Sequence, residues 1–170
     1  MRRLALGAGW VALVAMEVVV ARAYTGFGTW WHWLLHQQVG WGVGLATAAL
    51  VATVSRWRVP AVIALLAGQL ASIVPDLQFR FARMPHEPSM DLWLGHISLH
   101  TGPSPVLVAL GALLLGGWAH LAATLDRRRL AAPLAVAALV LVVAAGVLAR
   151  PLPETLADYP ADSAPVLAAP

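Results

Sequence analysis

Long apolar segments separated by short polar stretches are the main pattern of the chain. Each segment approaches or reaches the roughly 20 residues that a helix needs to cross the hydrocarbon core of a bilayer. Five segments have this character, at 4–23, 39–55, 59–75, 105–125 and 130–149. The pattern predicts an all-α fold, a polytopic membrane helical bundle in which these five transmembrane helices form a single domain over residues 1–149.

The polar stretch between the first two segments predicts a short interfacial helix. Residues 24–38 begin with polar side chains, and Trp30, Trp31 and Trp33 lie within one turn. Tryptophan favours the boundary between membrane and water. We therefore expect a short helix over residues 29–38 at the membrane surface, running into the second span.

The two remaining polar stretches predict a capped helix and a tail. In residues 76–104, Ser89 is suited to cap a helix that begins near Met90, with Asp91 in its first turn. From residue 150 onward, five prolines remove backbone donors and fix the backbone. Residues 150–170 are therefore predicted to form an extended, Pro-rich acidic tail.

The composition places the chain in a lipid bilayer. It is 60% hydrophobic and 11% charged, whereas soluble domains are about 25% charged. All 11 basic residues are arginine and there is no cysteine, which excludes disulfides and thiolate metal sites. The arginines lie at the ends of apolar runs, as in membrane anchoring. We therefore expect no nucleic acid partner; the bilayer is the partner, and contacts with other membrane subunits are left open.

The distribution of arginine predicts the orientation. Seven arginines fall at the end of the bundle that holds the N-terminus and four at the other end. The seven are Arg2, Arg3, Arg56, Arg58, Arg127, Arg128 and Arg129. Because basic residues concentrate in cytoplasmic loops, we expect a multi-pass protein of a bacterial-type inner (plasma) membrane. Its N-terminus would be cytoplasmic and its C-terminus extracytoplasmic.

Two histidine pairs with the same spacing are candidate metal ligands. His32 and His36 precede the second segment, and His96 and His100 precede the fourth. Residues four apart on a helix lie on one face, with Cβ atoms about 5–6 Å apart, so each pair could bind one ion. The alternatives are interfacial packing among tryptophans for His32 and a hydrogen-bonded pair at the membrane edge for His96 and His100. No glutamate follows the first histidine of either pair, which excludes the HExxH zinc motif.

Three carboxylates could complete such a site. Asp76 follows Pro75, and the pair predicts either a turn that ends the third helix or a ligand held by that turn. Asp91 has two possible roles: it could stabilise the first turn of a helix, or it could act as a general base. Glu17 lies inside the first segment, roughly 9 Å from its outer end at 1.5 Å per residue, and an intramembrane carboxylate marks a functional site by default.

The hairpin of the second and third segments brings these candidates together. It returns the chain from His36 to Asp76, and His96 precedes the fourth segment on the same side. We therefore predict one extracytoplasmic metal site, with Asp91 or Glu17 as its general base. The predicted ligands are His36, Asp76, His96 and His100, with His32 as a further candidate.

The order of these features resembles the family of inner-membrane metal-dependent hydrolases that includes the LexA-binding membrane proteins. His36 and the small residues of 39–44 resemble that family's first histidine and small-residue helix. Pro75-Asp76 resembles its Pro-Asp turn, and Gly95-His96 with the following residues resembles its histidine stretch. The resemblance covers residues 36–105 and implies a metal site in a helical membrane domain, with hydrolysis as its activity.

The residues alone leave three functions open. The first is a metal-dependent hydrolase of a lipid-linked or periplasmic substrate, in which a divalent ion, zinc in the first instance, acidifies a bound water. The second is a non-catalytic site for copper or haem b, because two histidines from different helices can be axial haem ligands. The third is a structural subunit of a larger membrane complex, with the histidines and tryptophans as packing.

Overall fold

The computed structural model describes residues 2–26, 30–85, 87–97, 99 and 104–148, and within these ranges the fold is all-α without strands. The helices are α1 (Arg2–Gly26), α2 (Trp30–Ser55), α3 (Ala61–Ala82), α4 (Ser104–Ala119) and α5 (Arg128–Val147). A 3₁₀ helix, Pro88–Leu92, lies between α3 and α4, and a π turn, His120–Thr124, ends α4. Five helices are long and apolar enough to cross a membrane, which confirms the predicted fold class. The predicted tail, His100 and the end of the fifth segment lie outside the described residues.

α2 is the central helix, and it packs against α3 and α4. Its glycines let the backbones approach closely. A Cβ added to Gly40 would lie 2.6 Å from the carbonyl oxygen of Gly68 on α3. On the other side of α2, a Cβ added to Gly116 of α4 would lie 2.7 Å from the Cα of Gly42. Small residues at helix crossings are the usual means of close packing in bilayers, so the small-residue stretch of 39–44 does what its composition predicts.

α1 and α5 lie at the periphery of the bundle. α1 buries Leu13 and Val20 but exposes most of its other apolar side chains, and α5 packs mainly against α4. An apolar surface of this extent marks contact with a membrane or a partner. The exposed apolar side chains of both helices are therefore suited to face lipid.

The short helix predicted over residues 29–38 is not a separate element, because residues 30–38 are the first turns of α2. The helix runs without a break for 26 residues, or about 39 Å at 1.5 Å per residue. His32 and His36 are fully buried rather than interfacial. These polar side chains are covered by α3 and by the segment before α4. The local sequence pattern does not reveal this coverage.

The predicted end of the third helix at Pro75 is also wrong. α3 continues through Pro75 to Ala82, and Arg83 then adopts the left-handed conformation with φ 54°. A proline inside a transmembrane helix is tolerated when neighbouring groups satisfy the freed backbone. Asp76 is therefore a residue of the helix and not of a turn.

The capped helix expected near Met90 is replaced by a shorter element. The 3₁₀ helix Pro88–Leu92 has Glu87 as its N-cap without a side-chain cap bond, and turns follow over residues 93–97. Met90, Ile97 and Leu99 are buried. The apolar contacts of these three side chains hold the irregular segment against the bundle. These contacts outweigh the local propensity for a longer helix.

Candidate metal centre

Four ionisable side chains from three separate segments converge at one end of the bundle, which we call the site end. His32 and His36 come from α2, Asp76 from α3, and His96 from the turns before α4. One possible ligand atom from each residue lies within 4.8 Å of those of the other three. The three histidines are fully buried and Asp76 is 8% exposed. Such a group can hold a metal ion.

His32 and His36 lie on one face of α2, as their HxxxH spacing predicts. His32 and His36 are one turn apart, with ring centroids 4.4 Å apart and edge-to-face geometry. The interfacial reading of His32 is wrong, since its side chain is buried and its Nε2 lies 3.1 Å from Asp76 Oδ2. Both histidines therefore belong to the same group.

Asp76 connects the two histidine segments through its two carboxylate oxygens. Oδ2 faces His32 on α2, and Oδ1 lies 3.2 Å from His96 Nε2. Asp76 shares an inward stripe of α3 with Ser72, four residues earlier, and with Gln69, because residues at this spacing repeat on one helix face. The stripe places one carboxylate between imidazoles of two different segments.

Ser72 positions two of the three histidines, a role that the sequence analysis missed. Its carbonyl oxygen accepts a hydrogen bond from His96 Nδ1 at 3.2 Å, and its hydroxyl lies 3.2 Å from His36 Nδ1. The i, i+4 spacing of Ser72 and Asp76 was the available signal. Metal-ligating histidines commonly bind through one nitrogen while the other is held by such a partner.

The hydrogen bond to the Ser72 carbonyl determines the tautomer of His96. A carbonyl oxygen can only accept, so Nδ1 carries the proton, and the neutral ring presents a lone pair at Nε2. That lone pair faces the carboxylate oxygen of Asp76 at 3.2 Å. A metal ion placed between these two electron-rich atoms would be bound by both.

The stacked imidazole rings are close enough together to share one metal ion. His36 and His96 stack with centroids 4.1 Å apart and an interplanar angle of 17°. A divalent ion binds all three imidazoles in their neutral form. It also offsets the cost of burying a carboxylate away from water.

An unusual backbone path delivers His96 to the site. Leu94 and Gly95 both have positive φ, at 56° and 72°. The Gly95 N–H donates to the Asp91 carbonyl at 2.8 Å, and the Leu99 N–H donates to the Gly95 carbonyl at 2.9 Å. Positive φ is costly for leucine, and such strain is concentrated at functional sites. Irregular backbone at membrane depth is tolerated where protein covers it.

His96 is not in the helix that the spacing of the second HxxxH pair predicts. It lies in the turns of residues 93–97 and is a member of the group of four. His100 lies outside the described residues, so its assignment as a ligand stays a prediction. His120 lies in the π turn at the opposite end of α4.

The two carboxylates proposed as bases are not members of the group of four. Glu17 Oε2 accepts hydrogen bonds from Trp33 Nε1 at 3.0 Å and Gln37 Nε2 at 2.8 Å. These two residues directly follow His32 and His36 in the chain, so Glu17 ties α1 to the neighbouring face of α2. Asp91 is half-buried, and its carbonyl supports the turn before His96. A role for either as a base stays a prediction.

Comparisons of the chain with models of protein families, with characterised proteins and with solved structures gave no match in any of the three. The five apolar helices and the buried His/Asp group are the observations on which function is argued. They identify a multi-pass membrane protein with residues arranged at metal-binding distance.

Proposed function

We propose that this protein is a membrane metalloprotein that binds one divalent ion, zinc, through His32, His36, Asp76 and His96. The observation that carries the proposal is the convergence of four buried ligand atoms within 4.8 Å of one another. Tetrahedral zinc with bonds of about 2.0–2.2 Å places neighbouring ligand atoms about 3.3–3.6 Å apart. The separations of 3.1 and 3.2 Å from Asp76 to His32 and His96 are close to that spacing.

The donor set favours zinc over the other candidates of the sequence analysis. Three imidazoles and one carboxylate, without thiolate or thioether, suit zinc and its neighbours among the divalent metals. Haem b is disfavoured, because His36 and His96 stack at 4.1 Å and leave no space for a macrocycle between them. Copper shares the affinity for imidazole, and elemental analysis of the purified protein distinguishes it from zinc.

Hydrolysis is the activity that we infer for this centre. The support is the resemblance of residues 36–105 to inner-membrane metal-dependent hydrolases, whose Pro-Asp and Gly-His elements contain two of the four ligands. A bound zinc ion lowers the pKa of a coordinated water to near neutrality. Asp76 is the member of the group that keeps exposed surface, so substrate would approach from its side. A lipid-linked or periplasmic substrate fits a site at one end of a membrane bundle.

A second function is favoured by the number of ligands. Catalytic zinc usually has three protein ligands and an open position, whereas four protein ligands are typical of structural sites. A closed His₃Asp centre would fix α2, α3 and the His96 segment against one another without catalysis. The protein would then be a metal-stabilised subunit of a larger membrane complex.

Phosphate release from lipid substrates tests hydrolysis directly. Zinc-loaded wild-type protein in mixed micelles is expected to release phosphate from phosphatidic acid or from a polyprenyl diphosphate. Asp76→Asn is expected to lose at least about 90% of this activity, because losing even a supporting partner of a metal ligand costs about 10–100-fold in metal affinity or activity. Asp126→Asn is the matched control, since Asp126 is exposed and lies at the opposite end of the bundle. Zinc at one ion per chain without turnover of either lipid would select the non-catalytic function.

The orientation of the bundle is a separate proposal that rests on the arginine distribution. We place the N-terminus in the cytoplasm of a bacterial-type cell and the site end outside. A reporter fused after Pro170 should therefore be active in its extracytoplasmic form, and a reporter in the 56–60 connection should be active in its cytoplasmic form. The opposite pattern at both positions would invert the topology and place the site in the cytoplasm.

A further inference from the structure

A groove lies between α2, α4 and the start of α5, at the end of the bundle opposite the site. It has a volume of about 480 Å³, within the range of about 300–1,000 Å³ typical of small-molecule sites. Its walls include Ala49 and Leu50 of α2 and Trp118 at the end of α4. Ala122 of the π turn and Arg128 of α5 also line it.

The π turn gives the groove one of its walls. The Leu125 N–H donates to the His120 carbonyl at 3.2 Å, five residues earlier, and the Arg58 guanidinium donates to the Thr124 carbonyl at 3.0 Å. The turn thus widens the end of α4 and is held from the opposite loop. Single π turns inside α-helices are frequent at binding and functional sites.

The mouth of the groove is strongly basic. Five exposed arginines lie at this end, three in the two connections and two at the start of α5, and Asp126 is the one carboxylate among the described residues there. The arginines are Arg56, Arg58, Arg127, Arg128 and Arg129. Arg128 is 85% exposed, and its Nε lies 3.7 Å from Asp126 Oδ1, an exposed pair that solvent weakens. The guanidinium can therefore bind another anion at the edge of the groove.

The groove is apolar below this basic mouth. α2 runs along it from Thr53, near the arginines, to Ala46, about 10 Å deeper at 1.5 Å per residue. The candidate span of α2 ends at Ser55 and that of α5 begins at Arg128, so the mouth lies at the membrane boundary. An occupant must therefore join a hydrocarbon part to an anionic part at the boundary.

We propose that this groove binds an anionic phospholipid, with one acyl chain along the alanine-lined wall and the phosphate at Arg128. Charge complementarity at the mouth selects an anionic headgroup over a zwitterionic one, and arginine is suited to bidentate contact with phosphate. Basic residues next to a span attract anionic lipids of the cytoplasmic leaflet. The lipid would fill the space between α2 and the widened end of α4 and so stabilise this end of the bundle.

Native mass spectrometry of the protein released from nanodiscs tests the proposal. The probes are dioleoyl phosphatidylglycerol and dioleoyl phosphatidylcholine at equal concentration, with free glycerol phosphate as a competitor. Wild type should retain phosphatidylglycerol in preference, and free glycerol phosphate should not displace it. Arg128→Gln should weaken retention by about tenfold, the equivalent of one lost charge-assisted hydrogen bond.

Two further variants separate the groove from general surface charge. Arg83→Gln removes the same charge at the site end, away from the groove, so it should retain phosphatidylglycerol like wild type. Ala122→Leu leaves the charges and fills the groove, so it should lose the bound lipid while keeping its melting temperature in lipid-free detergent. Equal retention of the two lipids by wild type would overturn the proposal, as would unchanged retention in both Arg128→Gln and Ala122→Leu. A dimer that Ala122→Leu dissociates would assign the groove to a second copy of the chain instead.

Discussion

Replacing Asp76 with asparagine is expected to weaken zinc binding by more than about 100-fold, since the loss of even a supporting partner of a metal ligand costs about 10–100-fold. The carboxylate contributes the one negative charge among the four ligands, and it lies between His32 and His96 at 3.1 and 3.2 Å. Asparagine keeps the shape of the side chain but removes the charge that the ion neutralises. Competition with a chromophoric chelator measures the affinity.

A graded series makes this result specific to the metal. Ser72→Ala removes the hydroxyl beside His36 Nδ1 but keeps all four ligands, so its affinity should fall by about 10–100-fold. Asp126→Asn should bind zinc like wild type. Zinc should also raise the melting temperature of wild type but not that of Asp76→Asn, because a ligand stabilises only the state that binds it. Equal zinc affinity in Asp76→Asn and wild type would remove Asp76 from the site.

Gly116→Ala is expected to destabilise the bundle strongly, by about 3 kcal/mol or more, at or above the usual range for overpacking. A Cβ at this position would lie 2.7 Å from the Cα and the carbonyl carbon of Gly42 on α2. Backbone atoms cannot rotate away as a flexible side chain can, so α4 would have to move from α2. Thermal unfolding in detergent measures the loss.

The neighbouring glycine provides the control. A Cβ on Gly117 would meet Leu134 Cδ1 at 3.5 Å, an ordinary van der Waals contact. Gly117→Ala should therefore be neutral or slightly stabilising, since alanine is favoured over glycine in a helix by about 1 kcal/mol. Equal melting temperatures for the two variants would contradict the close α2–α4 crossing.

The spans and the hairpin of α2 and α3 could be predicted from the sequence because they depend on local properties. Length and hydropathy define a spanning helix, and the short connection after Ser55 makes α2 and α3 neighbours. Once they are neighbours, His36 and Asp76 must lie at the same end. The glycines of α2 are a local signal of the same kind, because small residues permit close helix contacts.

The details of the site could not be predicted, because they depend on tertiary contacts. Pro75 indicates a helix end locally, but α3 continues because the surrounding bundle supports it. The spacing of His96 and His100 is typical of a helical pair, yet His96 reaches the site through the positive φ of Leu94 and Gly95. The burial of His32 depends on segments that are far away in the chain. The tryptophans next to it therefore favour interfacial packing when only the local sequence is considered.

X-ray absorption spectroscopy of the purified, zinc-loaded protein reports the number and type of atoms bound to the ion. It therefore tests whether three histidines and one carboxylate bind zinc. We expect one zinc per chain with four nitrogen or oxygen ligands at about 2.0–2.2 Å, three of them with the scattering pattern of imidazole. His32→Ala and His96→Ala should each lose one imidazole from the pattern, and Glu87→Gln, a change outside the group of four, should leave it unaltered. An ion bound by water alone, or an unchanged number of imidazoles in both histidine variants, would contradict a metal centre formed by His32, His36, Asp76 and His96.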